Sequence, residues 1–197
     1  MGALSPPGGR ERLVKPSRIA LLDRDGTLIE HIPYLNDYRL VRLLPGVVEG
    51  LKALQEMGFA LVMVSNQSGL GRGYFNAIQL KAVHDTMEEQ LAQEGLKLDR
   101  LLFCPHHPKE NCHCRKPEVG LGEQASRELG LPLTGGIVVG DAYCDMGLAK
   151  NLGWPGFLLP DSSAHLPKGA PPIWQDAEIY QPGYREILVL TDVPELV

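Results

Sequence analysis

Asp23-Arg24-Asp25-Gly26-Thr27 places two carboxylates two residues apart, directly after the apolar run Ile19-Ala20-Leu21-Leu22. Carboxylates so placed repel each other unless a cation joins them. Asp141 follows another apolar run, 137–139, and can complete an oxygen-rich site of the kind magnesium prefers. The chemistry such a set supports is phosphoryl transfer. Asp23 is the nucleophile for in-line attack on phosphorus, while Asp25 protonates the leaving alcohol and later activates water. A magnesium ion would screen the repulsion between carboxylate and phosphate and orient the phosphoryl group. A calcium loop fits worse, because its twelfth position should be Glu and here is Tyr34.

Ser65-Asn66-Gln67-Ser68-Gly69 ends a second apolar run with a hydroxyl and a series of backbone amides, suitable donors to phosphate oxygens. By itself this segment would also serve as an ordinary polar loop. Between Cys104 and Cys114 the chain reads Cys-Pro-His-His-Pro-Lys-Glu-Asn-Cys-His-Cys, which offers two close ligand pairs, Cys104/His106 and Cys112/Cys114. Three thiolates and one imidazole suit a tetrahedral structural zinc with no position left for water. His106 is the preferred imidazole, with His107 and His113 as alternatives. Arg115-Lys116-Pro117 follow the last ligand, so fixing Cys114 would fix both cations. Lys116 can stabilise phosphoryl charge and the Asp23 carboxylate, and Arg115 can fork onto a second anionic group of the substrate. Cys144 is expected to be a small packing residue. Gly120-Leu121-Gly122-Glu123-Gln124-Ala125 matches a dinucleotide fingerprint only superficially, because it does not directly follow a strand.

These groups need a scaffold that brings them together. Apolar runs at 18–23, 59–65, 101–103, 136–140 and near Phe157 predict buried strands. Helical patterns alternate with them: from Pro45 to Gly58, from Asn76 to Gly95, over 119–129 and from Asp141 to Leu152. Such alternation predicts an open parallel sheet covered by helices on both faces, which places its site at the carboxyl ends of the strands. Those ends carry Asp23, Ser65-Asn66 and Asp141. Residues 1–17 read as a flexible arm rich in Pro, Gly and basic residues, and 18–197 as one phosphatase domain. Residues 160–197 form a Pro-rich extension in which 185–190 could be strand or helix.

The 197 residues carry a net charge of -5, which argues against a nucleic-acid backbone as partner. No stretch approaches the roughly 20 apolar residues of a membrane span, and the expected state is a cytoplasmic monomer. Four cysteines, three of them clustered beside histidines, read as reduced metal ligands.

Taken together, residues 23–27, 65–69, 104–117 and Gly-Asp-Ala-Tyr-Cys-Asp at 140–145 resemble the haloacid dehalogenase superfamily. Within it they are similar to the D-glycero-D-manno-heptose-1,7-bisphosphate 7-phosphatases and the histidinol-phosphate phosphatases. The resemblance implies a Rossmann-like fold with no separate cap domain. It implies Asp23 as nucleophile, Asp25 as acid and base, and magnesium held by Asp23, Asp141 and the backbone carbonyl of Asp25. It places Ser65 and Lys116 on the transferring phosphoryl, Ser65 to Ser68 (with Asn66 and Gln67) around the substrate, and Arg115 on its remote part. His31 to Tyr34 correspond to a substrate-contacting turn. Pro33 stands where heptose enzymes commonly carry Gly, and Ala142 where some carry Lys. The segment 65–75 favours the heptose branch and a small phosphorylated sugar; the short span from His106 to Cys112 is more like the histidinol branch. A non-catalytic zinc-scaffolded module and a polynucleotide-end phosphatase are the readings from other classes.

Overall fold

The computed structural model describes residues 14–159, 184–186, 190, 193 and 197. The expected arm at 1–17 falls mostly outside these residues, as does most of 160–197. Six strands form one sheet: β1 (Arg18–Leu22), β2 (Phe59–Asn66), β3 (Arg100–Cys104), β4 (Ile137–Gly140), β5 (Gly156–Leu158) and β6 (Tyr184–Glu186). Their order is β3-β2-β1-β4-β5-β6 and every pairing is parallel. The expected sheet is therefore present, and part of the ambiguous stretch after residue 184 is its edge strand.

Five helices connect the strands: α1 (Val47–Glu56), a single turn α2 (Ser68–Gly71), α3 (Ala77–Gln93), α4 (Gly120–Leu129) and α5 (Tyr143–Leu152). Alternation along β1 explains the layers. Ala20 and Leu22 face a core shared with Leu51 and Leu54 of α1 and Val83, Met87 and Leu91 of α3. Ile19 and Leu21 face the opposite core, with Leu121 and Ala125 of α4 and Leu148 and Ala149 of α5. The strands are buried on both faces, which is why they read as continuous apolar runs. Leu190 and Val193 join the first core. No helix among the described residues is long and apolar enough to cross a membrane.

The chain runs from β1 outward through β2 and β3, then returns to the other side of β1 for β4. The crevice at that reversal is where open parallel sheets hold their ligands. Leu22 pairs with Met63 on one side and Val139 on the other, so Asp23 emerges level with Gly140 at the end of β4 and two residues short of the end of β2. Helix α3 begins where the sequence places its cap. The Asn76 side chain accepts from the Gln79 backbone amide at 2.9 Å, and the Gln79 side chain accepts from the Asn76 amide at 3.0 Å. Replacing Asn76 with Ala should cost about 1 kcal/mol of stability, the usual value of such a cap. Urea unfolding should show that loss with kcat unchanged, since the cap touches no residue of the crevice.

Candidate active site

Asp23 leaves β1 with its amide bonded to the Val139 carbonyl at 2.9 Å, which ties the nucleophile position to the neighbouring strand. The chain then folds back tightly: Leu28 and Ile29 both donate to the Arg24 carbonyl at 3.0 Å. Gly26 is required here twice over. Its φ is +77°, and a Cβ would lie 2.2 Å from Asp141 Oδ2. Gly140 meets a similar constraint from Asp145, whose Cγ would be 2.3 Å from an added Cβ. Glycine thus lets the β1 and β4 loops approach until their carboxylates share one space.

That space is a cavity of about 370 Å³ lined by Asp23, Asp25, Ser65, Lys116, Asp141 and Asp145, among others. Lys116 is buried and its ammonium pairs with Asp23 and, at 2.5 Å, with Asp145; it also donates to the Val64 carbonyl at 2.8 Å. Burial opposes its charge, but Asp145 and Asp23 outweigh that and hold the ammonium above its usual range. One ammonium faces three carboxylates, because Asp23, Asp141 and Asp145 each bring an oxygen to within 4.8 Å of the others. Burial and mutual repulsion push Asp23 up to about 7, with Lys116 opposing the rise. Burial, then Asp23 and Asp145, push Asp141 up to about 8. The uncompensated charge and the all-oxygen donor set fit a divalent cation such as magnesium.

Asp145 is the acid that the sequence reading passed over. It sits four residues beyond Asp141 on the first turn of α5, and that spacing after a strand end was the available signal. The Asp25 carboxylate stands apart from the three-acid group. It bonds the Arg24 guanidinium and, at 3.0 Å, the Gln67 side-chain amide, which also donates to Ser65 Oγ at 2.7 Å. Gln67 therefore joins Asp25 to Ser65. Asn66 bonds the Lys116 main chain reciprocally, its amide donating to the Lys116 carbonyl and its carbonyl accepting from the Lys116 amide, both at 3.0 Å. Its side chain positions the lysine, where a substrate donor was expected. Ser68 lines the cavity at the start of α2.

His31 lies at the rim, with Nδ1 3.8 Å from Asp141 Oδ2. Tyr34 lines the cavity with φ +53° and meets the ring of Tyr74 edge-on at 4.6 Å. Cys144, expected as packing, lines the cavity as well, and burial raises its thiol. Arg115 is outside the cavity wall. Its Nη1 is buried and has no hydrogen-bond partner among the described residues.

The cysteine loop closes on itself at the end of β3. Cys104 Sγ is 3.4 Å from Cys112 Sγ and 3.6 Å from His106 Nδ1, while Cys114 Sγ is 3.2 Å from His106 Nδ1 and 3.5 Å from Cys112 Sγ. A tetrahedral zinc with bonds of about 2.0–2.3 Å has donor–donor edges of roughly 3.3–3.8 Å, so the four groups fit it. The other imidazoles are engaged elsewhere. His107 Nδ1 accepts from the Lys109 amide at 3.1 Å, and His113 Nε2 pairs with Glu123 at 2.9 Å.

Comparison with known proteins shows what this chain is similar to. A family model described as polynucleotide kinase 3 phosphatase matches residues 18–155. The D-glycero-beta-D-manno-heptose-1,7-bisphosphate 7-phosphatase of Yersinia pestis is 41% identical over 141 residues, 67% of this chain and 75% of that protein. The histidine biosynthesis bifunctional protein HisB of Legionella pneumophila is 36% identical over 151 residues, 75% of this chain but 42% of that protein. The crystal structure of a D,D-heptose 1.7-bisphosphate phosphatase from B. bronchiseptica, complexed with magnesium and phosphate, superposes with a TM-score of 0.75 at 31% identity. It covers 91% of this chain and 97% of that one.

Two outcomes follow from the site. Removal of the imidazole in His106→Ala should lower bound zinc by metal analysis, whereas His113→Ala should retain it. With Asp23 and Asp141 raised to about 7 and 8, the cation-free site binds protons that a metal must displace. Magnesium affinity should therefore fall as pH drops from about 8 towards 6. Calorimetry in buffers of different ionisation enthalpy should register proton release on binding.

Proposed function

The chain belongs to the family described as polynucleotide kinase 3 phosphatase and to that of the heptose-1,7-bisphosphate 7-phosphatases, and we propose that it removes the 7-phosphate of a heptose 1,7-bisphosphate. The observation that carries this is Asp23, held at the end of β1 by Lys116 beside a partly uncompensated acidic pair. Asp23 attacks phosphorus and becomes an aspartyl-phosphate, breaking the bond to the sugar oxygen. Asp25 gives that oxygen a proton and afterwards takes one from the water that hydrolyses the intermediate. Ser65 donates to the phosphoryl oxygens, and Lys116 offsets their charge in a site where water is scarce.

Asp23, Asp141 and Asp145 would hold magnesium together with the Asp25 carbonyl, and the ion would supply charge screening and orientation of the phosphate. Cys104, His106, Cys112 and Cys114 would hold a structural zinc. His31 and Tyr34, at the rim, would contact the sugar, and Arg115 its remote part. The enzyme would act as a cytoplasmic monomer.

The heptose assignment rests on the Yersinia relative, which is matched over most of its length, against the partial match to HisB. Parallel assays with heptose 1,7-bisphosphate, histidinol phosphate and a 3′-phosphorylated oligonucleotide test it. The expected order is heptose first by a wide margin in kcat/KM, and a preference for either other substrate would overturn it. Asp23→Asn should lose on the order of 10⁴-fold or more in kcat while remaining folded, because its amide cannot attack phosphorus. Multiple turnover by that variant would remove the covalent step.

A further inference from the structure

Arg24 is the largest fully buried side chain among the described residues, yet no part of the phosphoryl chemistry above uses it. An arginine in the wall of a phosphatase cavity suggests a phosphate fork. Three of its five N–H donors are already engaged, one on each nitrogen. Nη2 donates to Asp25 Oδ1 at 2.9 Å and Nε to Asp25 Oδ2 at 3.2 Å, while Nη1 lies 2.9 Å from Nε2 of His84.

His84 belongs to α3, on the far side of the Asp loop, and is itself buried, with its ring tilted against Phe103 at 5.5 Å. Burial, and then the Arg24 charge, lower its basicity to about 3. The imidazole is therefore neutral, and its Nε2 lone pair accepts from Arg24. A histidine on an apolar helix face usually needs no functional account. This one ends a chain of hydrogen bonds that begins at the acid/base carboxylate.

We propose that Arg24 and His84 form a buried brace that fixes the Asp25 carboxylate for proton transfer. Arg24 grips both Asp25 oxygens, and His84 holds Arg24 from the helix. Both are positioning residues. The brace also distinguishes the two oxygens. Oδ2 accepts from Arg24 and Gln67, which fills its two lone pairs, whereas Oδ1 accepts from Arg24 alone. Oδ1 is the atom left to carry the proton. As the O–P bond breaks, its electron pair stays on the sugar oxygen, which receives the Oδ1 proton. The Asp25 carboxylate is regenerated as acid when water attacks the aspartyl-phosphate.

This inference rests on the proposed assignment of Asp25, and leaving-group dependence separates the two. An alkyl phosphate such as the heptose substrate needs its leaving oxygen protonated, whereas p-nitrophenolate leaves without help. His84→Leu removes the acceptor, His84→Gln restores one near the Nε2 position, Arg24→Met removes the grip, and Asp25→Asn is the reference. With general acid catalysis contributing about 10²–10⁴-fold, Arg24→Met should lose on the order of 100-fold in kcat on the sugar phosphate, and His84→Leu about 10-fold. In the first, phosphoryl-transfer step, read for p-nitrophenyl phosphate as the pre-steady-state burst of p-nitrophenol, both should lose less than about 3-fold, and both should keep KM for the sugar phosphate, as expected when proton transfer to the leaving group is impaired. His84→Gln should recover most of the His84→Leu loss.

Equal losses on both substrates in that first step would overturn the brace, and so would a rise in KM with kcat preserved, which would make Arg24 a phosphate ligand. If His84→Leu does not fold, His84→Gln and Arg24→Lys carry the same comparison: the first should act like the parent, the second like Arg24→Met. Absence of leaving-group discrimination in the first step of Asp25→Asn itself would instead remove the acid/base assignment, whatever the brace variants do.

Discussion

The pairing of one buried ammonium with two buried carboxylates organises this molecule. Lys116 joins Asp23, at the end of β1, to Asp145, on α5, and so couples two strand ends and the cysteine loop through a single charge. Removing one member of such a group strands charge in a poorly solvated space, typically at several kcal/mol, so the three side chains stand or fall together. The same arrangement leaves the negative charge of Asp141 unmatched. The residual charge gives the crevice its affinity for a cation, and the raised carboxylates are its physical sign.

Holding a lysine in that place is a problem for the chain, since the ammonium arrives from a loop with no core of its own. Two devices solve it. The cysteine loop gathers four soft ligands that end at Cys114, two residues before the lysine. From the other side, the Asn66 carboxamide bonds both polar groups of the Lys116 main chain. The first device fixes the loop and the second fixes its register against β2. A metal held there would touch no substrate, yet would bear on the reaction through the position of one side chain.

Much of this was legible in the sequence, for a definite reason. Strands buried on both faces are apolar at every position, and helices with one buried face repeat at the helical period, so local patterns reveal the layers. Strand-end polar residues followed from the same argument, which is why Asp23, Ser65 and Asp141 converge as expected. What escaped were roles decided by partners distant in the chain. Asp145 looked like one more helix residue until Lys116, 29 positions earlier, was seen beside it. The bonds of Asn66 to the Lys116 main chain went unforeseen because nothing in its neighbours announces Lys116. Arg24 and His84 are 60 positions apart and carry no motif between them. The preference for His106 over His107 and His113 agrees with the ring that reaches the sulfurs, a matter of loop geometry.

The openness of the crevice has a structural cause as well. The segment between β1 and α1 makes one tight turn at Gly26 and a short wall, without a domain that could close over the site. Its outer end is Tyr34, held with φ +53° and edge-on to Tyr74, both half exposed. A non-glycine residue in the left-handed region costs free energy, of order 1–3 kcal/mol, and persists where surrounding contacts determine it. Here the contact is an aromatic one at the mouth of the cavity. The strained backbone places a flat apolar face beside a polar pocket, which is the shape a sugar ring offers in complement: hydroxyls on its edge and C–H groups on its face. On the proposed reading, recognition of the carbohydrate would thereby be separated from the chemistry. The buried cluster would act on a phosphoryl group common to many esters, and selection among esters would fall to the rim, where His31, Tyr34 and Tyr74 can change without disturbing the charges beneath.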